Sequence, residues 1–133
     1  MFDVFDKFAT DETKEECGVE VSLGKGVSLT IARANNAAFL KLIQEEADRV
    51  AEQSTSLSDE DAEALDKKSM LEVLAKTVLL GWKGVAYKGK SMKYSVDNAV
   101  TLLGHKDFRK LVMEHANDFE HYRATLEDAD EKN

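Results

Sequence analysis

Apolar and polar residues alternate singly from Val19: Val21 and Leu23 flank Ser22 beyond Glu20, and past Gly24-Lys25-Gly26 the residues Val27, Leu29 and Ile31 flank Ser28 and Thr30. A period of two gives a strand one apolar face, and the glycine-bearing interruption supplies a turn. Residues 18–32 are therefore predicted to form a β-hairpin. Two strands alone are marginal in water, so the apolar face requires cover from elsewhere in the chain.

Beyond residue 34 the period lengthens. Phe39, Ile43, Ala47 and Val50, with Leu40 alongside, fall on one helical stripe, and Asn35 or Asn36 can cap its first amides. Glu52–Ser56 reads as a connector. Ser58 caps a second helix whose first-turn acids, Asp59, Glu60 and Asp61, complement the positive end of the helix dipole. Leu65, Leu71, Leu74 and Val78 form its apolar face, and Met70, Val73, Leu79 and Leu80 carry apolar surface nearly around it. The second half of this helix is predicted to be the most buried, running to Leu80 and stopping at Gly81.

Val85-Ala86-Tyr87 and Met92-Lys93-Tyr94 alternate around Lys88-Gly89-Lys90 and describe a second short hairpin. Ser95 and Gly104 bracket a short helix, Val96–Leu103. A last helix is predicted from about Asp107, with Phe108, Leu111, Val112, His115, Phe119, Tyr122 and Leu126 on one face. Phe2, Phe5 and Phe8 lie between acids, which leaves residues 1–16 open between a docked helix and an irregular arm. The fold class expected is mainly α, of α+β type: about four helices with a small N-terminal β-hairpin and a second short hairpin near 85–94. Residues 1–126 are expected to form one globular domain and 127–133 an acidic flexible tail.

Composition sharpens this picture at one point. The 133 residues are 43% apolar and 33% charged, as in a globular chain. The net charge of −8 is split along the chain: residues 1–66 hold 16 acids and 6 bases, residues 67–123 hold 6 and 11. Opposed regions of this kind favour self-association, head to tail. The single cysteine, Cys17, cannot pair within the chain, no signal-peptide pattern opens it, and no apolar run approaches the ~20 residues of a membrane span. A soluble protein of a reducing cytoplasm is the expectation, with no membrane partner.

Candidate chemistry is sparse. Cys17 stands beside Glu15 and Glu16, which oppose thiolate formation. His115 and His121 are six residues apart, not the three or four that a metal pair on a helix wants, although Glu114, Asp118 and His121 share a helical face. The acids after Ser58 lack the glycine of a calcium loop, and Gly24-Lys25-Gly26 precedes a strand and lacks the longer pattern of a phosphate loop. No catalytic residue, cofactor or metal is expected. Lys83, Lys88, Lys90 and Lys93 interleave with Trp82, Tyr87 and Tyr94, a pattern that can neutralise phosphates and stack bases. A nucleic-acid-binding accessory protein using residues 82–94 is therefore the alternative reading, against which stand the acidic chain and the scarcity of arginine.

Two stretches carry a family likeness. One is Gly18-Val19-Glu20-Val21 through Leu29-Thr30-Ile31-Ala32-Arg33-Ala34-Asn35-Asn36-Ala37-Ala38-Phe39. The other is Leu80-Gly81-Trp82-Lys83-Gly84-Val85, followed by Gly89-Lys90, Tyr94-Ser95, Leu102-Leu103 and Phe108-Arg109. In this order the chain resembles the tail assembly chaperones of long-tailed bacteriophages. The resemblance implies a small, mainly helical protein of the host cytoplasm that binds the tape measure protein, keeps its apolar helices in solution, helps recruit tail tube subunits and is absent from the mature virion. It implies no catalysis. Partner contact is expected at Trp82, Val85, Tyr87, Tyr94, Phe119 and Tyr122. For Trp82 a second role competes, that of a plug closing the end of the core, since full burial of an indole is worth roughly 4–6 kcal/mol.

Overall fold

In the computed structural model, which describes residues 1–124, two short helices lead into a sheet: α1 (Val4–Phe8), α2 (Glu12–Cys17), β1 (Val19–Gly24) and β2 (Val27–Ile31). Each short helix is opened by an aspartate, Asp3 or Asp11, whose carboxylate accepts two amides that have no intrahelical partner. The predicted hairpin is present, with Val21 opposite Leu29 and Val19 opposite Ile31. Its apolar residues Val21, Leu29 and Ile31 are buried, while Glu20 and Ser22 face solvent.

The long helices α3 (Ala37–Ser54) and α4 (Asp59–Thr77) follow. Asn36, not Asn35, caps α3: its Oδ1 accepts the Phe39 amide at 2.8 Å, and its Nδ2 donates to the carbonyls of Arg33 and Thr77. One buried side chain thereby ties the start of α3 to the end of α4. Ser58 caps α4 through the Asp61 amide. The connector is shorter than predicted, because Glu52–Ser54 complete the last turn of α3.

The predicted end of the second helix is corrected. α4 stops at Thr77, and Leu79–Lys83 is a third strand, β3, antiparallel to β2 in a sheet of order β1-β2-β3. Gly81 is no helix stop; it pairs with Thr30 in mid-strand. A short apolar run does not distinguish the end of a buried helix from a buried strand. What decides it is the open edge of β2, whose amides and carbonyls need partners that no local signal reveals.

β4 (Ala86–Tyr87) and β5 (Lys90–Ser91) form the second hairpin, and α5 (Val96–Leu103) is capped by Ser95 through the Asn98 amide. α6 (Lys106–Ala116) is shorter than predicted. The chain breaks at Asn117-Asp118 and makes one 3₁₀ turn, Phe119–Tyr122, with the Asp118 carboxylate accepting the Glu120 amide. Leu126 and the predicted tail 127–133 lie outside the described residues. The core is one cluster between the sheet and α4, α5 and α6, built on Leu29, Ile31, Val78, Leu79, Leu103 and Val112. Among the described residues no buried side-chain nitrogen or oxygen lacks a hydrogen-bond partner.

Candidate partner-binding surfaces

The six positions expected to meet a partner fall into two groups. Trp82 in β3 is half-buried; its Nε1 donates to the Met92 carbonyl at 2.7 Å and its ring meets that of Tyr94 edge-on, 5.0 Å between centroids. The Tyr94 hydroxyl lies 2.9 Å from the Ala75 carbonyl and 2.8 Å from that of Leu79, and its partial burial raises its pKa above the ordinary 10. Val85 packs on the core beside them. Tyr87 is half-buried and pairs through its hydroxyl with His105 Nε2 at 2.9 Å. Tyr94 pins the segment 82–94 to the last turn of α4, Trp82 ties it to Met92, and Tyr87 fastens its tip to the start of α6, so these side chains are engaged internally. Lys83, Lys88, Lys90 and Lys93 project from the pinned segment into solvent.

The second group sits where the chain returns to the N-terminus. Phe119 is half-buried against Phe8, 6.1 Å between centroids, with the Arg33 and Arg123 guanidinium carbons each 6.0 Å from its ring. Tyr122 is fully buried, and its hydroxyl donates to the Ile31 carbonyl at 3.0 Å. Desolvation pushes its pKa up to about 12. The expectation that Tyr122 meets a partner is therefore corrected: the residue is part of the core. His115 Nδ1 and His121 Nε2 stand 3.1 Å apart, and among the described residues no three histidine, cysteine or carboxylate groups gather as a metal ion would require. Cys17 is free and exposed.

Two apolar surfaces were not among the expected sites. α3 contains no buried residue along its 18 positions. Its half-buried stripe, Leu42, Ile43, Glu46, Arg49 and Val50, lies along α4, whose burial begins only at Ser69. The two helices thus form an arm beyond the core. Leu40 and Met70 are exposed at its base, and a small groove of about 50 Å³ between the two helices is lined by Ile43, Ala47, Val50 and Met70 together with Glu46, Asp66 and Ser69. Polar contacts hold the arm together at Glu46, which accepts from Arg49 Nε at 2.7 Å and from Ser69 Oγ at 3.2 Å. The Arg49 hydrogen bond holds this carboxyl below the ordinary 4.5, with Ser69 adding to the effect and desolvation opposing it. The other surface is α1, with Phe2, Val4, Phe5 and Phe8 exposed.

The signal for the arm was in the sequence. α3 has an apolar stripe, but the facing half of α4 offers only Ala62, Ala64 and Leu65 against it, too little to cover it. For α1 the signal was the spacing of three between phenylalanines with no second apolar segment adjacent.

Residues 33–133 match a family model described as YdaY prophage protein. The chain belongs to the YdaY prophage protein family. The matched span includes the arm, β3, the lysine-bearing hairpin and α6, so in this member of the YdaY family the arm surface and the pinned 82–94 segment both lie within it. No curated protein and no solved structure matches the chain. Among the described residues no helix is long and apolar enough to cross a membrane.

Proposed function

We propose that this prophage protein is a tail assembly chaperone. It binds the tape measure protein noncovalently in the host cytoplasm, keeps that long helical chain in solution, helps bring tail tube subunits to it and leaves before the virion is complete. The observation that supports this reading is the arm: an amphipathic helix of 18 residues with none buried, which touches the core through Phe39 at its start and leaves Leu40 exposed beside it. Such a surface takes another amphipathic helix, anchored at positions i, i+3, i+4 and i+7. A tape measure chain exposes apolar helical stripes of that kind, and covering them suppresses aggregation. Family membership supports the phage setting.

Co-expression tests it. The tape measure protein of the same phage is expected to move from the pellet to the supernatant when this chain is present and to co-purify with it. The double substitution Leu40→Glu, Met70→Glu, at exposed positions, is expected to cut recovery at least about fivefold while leaving the far-ultraviolet circular dichroism intact. An unchanged distribution of the tape measure protein overturns the proposal. Salt-sensitive retention of the chain on single-stranded DNA, without tape measure binding, would transfer the function to the lysine loop.

A further inference from the structure

The two charged regions of the chain are separated in space as well as in sequence. Residues 41–66, most of the arm, hold nine carboxylates against Lys41 and Arg49. Residues 81–110 hold seven lysines and arginines against Asp97 and Asp107. Tyr94 fastens the lysine segment to Ala75, sixteen residues along α4 from Asp59, or about 24 Å of helix. For the arm tip that exceeds twice the screening length of roughly 8 Å at physiological ionic strength, and even Asp66, nine residues or about 14 Å away, lies beyond one screening length.

Within one molecule the regions do not neutralise each other. Among the described residues, Glu52, Asp59, Glu60, Glu63 and Asp66 form no salt bridge, nor do Lys88, Lys90, Lys93, Lys106 and Lys110. The single pair made by the lysine segment, Lys83 with Glu20 at 3.9 Å, is exposed on both sides. The acidic region also carries an exposed apolar side chain, Leu57, at the arm tip.

We infer that copies of this chain associate head to tail, the unpartnered acidic end of the arm of one copy seating on the lysine face of the next. The occupant is a second copy because the chain itself supplies both halves of the complement, a net −7 on the arm and +5 on the lysine face. The contact joins two different patches, so it is heterologous, and repetition gives a ring or an open filament. The arm base, with Leu40 and Met70, stays outside this contact, so the inference stands or falls separately from tape measure binding.

Sedimentation velocity on the full chain tests it. At about 50 mM salt the weight-average sedimentation coefficient is expected to rise with concentration, and at about 500 mM the association constant should fall more than tenfold. Reversing the lysine face (Lys88→Glu, Lys90→Glu, Lys93→Glu) or the arm (Asp59→Lys, Glu60→Lys, Glu63→Lys) should each abolish self-association, whereas mixing the two variants, or combining all six changes in one chain, restores it. All six positions are exposed, and circular dichroism confirms that each variant is folded. A monomer at low salt at every concentration overturns the inference. So does association that ignores salt and both reversals, which would place the contact on an apolar face instead.

Discussion

At Gly84 the backbone has φ +70°, and a Cβ there would collide with the Gly26 carbonyl oxygen, because the end of β3 passes directly over the first hairpin turn. Gly89, at φ +82°, faces open space. Two glycines with similar torsions thus carry different demands: conformational strain alone at residue 89, strain plus a backbone clash at residue 84. Gly84→Ala is expected to lower unfolding free energy by more than about 2 kcal/mol and Gly89→Ala by about 1 kcal/mol. Urea midpoints with unchanged slopes would check this, and equal losses would mean that the hairpin tip yields. Trp82 belongs to the same corner. Its indole packs half-buried against the core, and the residue that holds it there is Met92, through a backbone carbonyl.

Among the elements, α3 and α4 behave differently along their lengths. The second half of α4 is packed by the sheet and α5, whereas α3 beyond its first turn packs chiefly on α4, so α3 should open at lower free energy in native-state hydrogen exchange. Glu46 makes that opening pH-dependent. Its carboxyl is held below 4.5 when folded, so its contribution is present above that pH and is lost as pH falls through the depressed value. Protection of α3 amides, corrected for intrinsic exchange, is expected to drop below pH 4.5 in the wild type. In Glu46→Gln it should already be reduced at neutral pH and change little on acidification. An acid response identical in both proteins would show that Glu46 does not hold the arm. The Ser58 and Ser95 caps were readable because a cap is a contact across three residues.

For the whole molecule, two tyrosines lock distant parts of the chain. Tyr122 bonds to Ile31 across 91 positions and Tyr94 to Ala75 across 19. Both hydroxyls have raised pKa values through burial, that of Tyr122 to about 12 against 10 in the unfolded chain. The unfolded state therefore loses these protons first, so the stabilisation these two hydroxyls contribute is fully present below pH 10 and declines as pH rises toward 12. Tyr122→Phe should cost about 1–3 kcal/mol at neutral pH, because the Ile31 carbonyl loses its donor, and should flatten part of the alkaline decline measured by urea unfolding. An unaltered alkaline profile would contradict the buried setting of this hydroxyl. At this scale the charge asymmetry also belongs: an acidic arm at one end and lysines at the other make the protein a dipole, whatever its partner.

The sequence alone determined what depends on near neighbours: the alternating strands 19–31, the caps at Ser58 and Ser95, the second hairpin and the division of charge. Each is a matter of side-chain periodicity or of a bond spanning a few residues. Only the tertiary structure decided that Leu79–Lys83 leaves the helix for the open edge of β2, that α6 ends at Ala116 and turns Tyr122 inward, and that Asn36 rather than Asn35 caps α3. Those outcomes rest on partners dozens of residues away, where the competition between helix, strand and exposed face is settled by which unpaired backbone groups and apolar surfaces happen to meet.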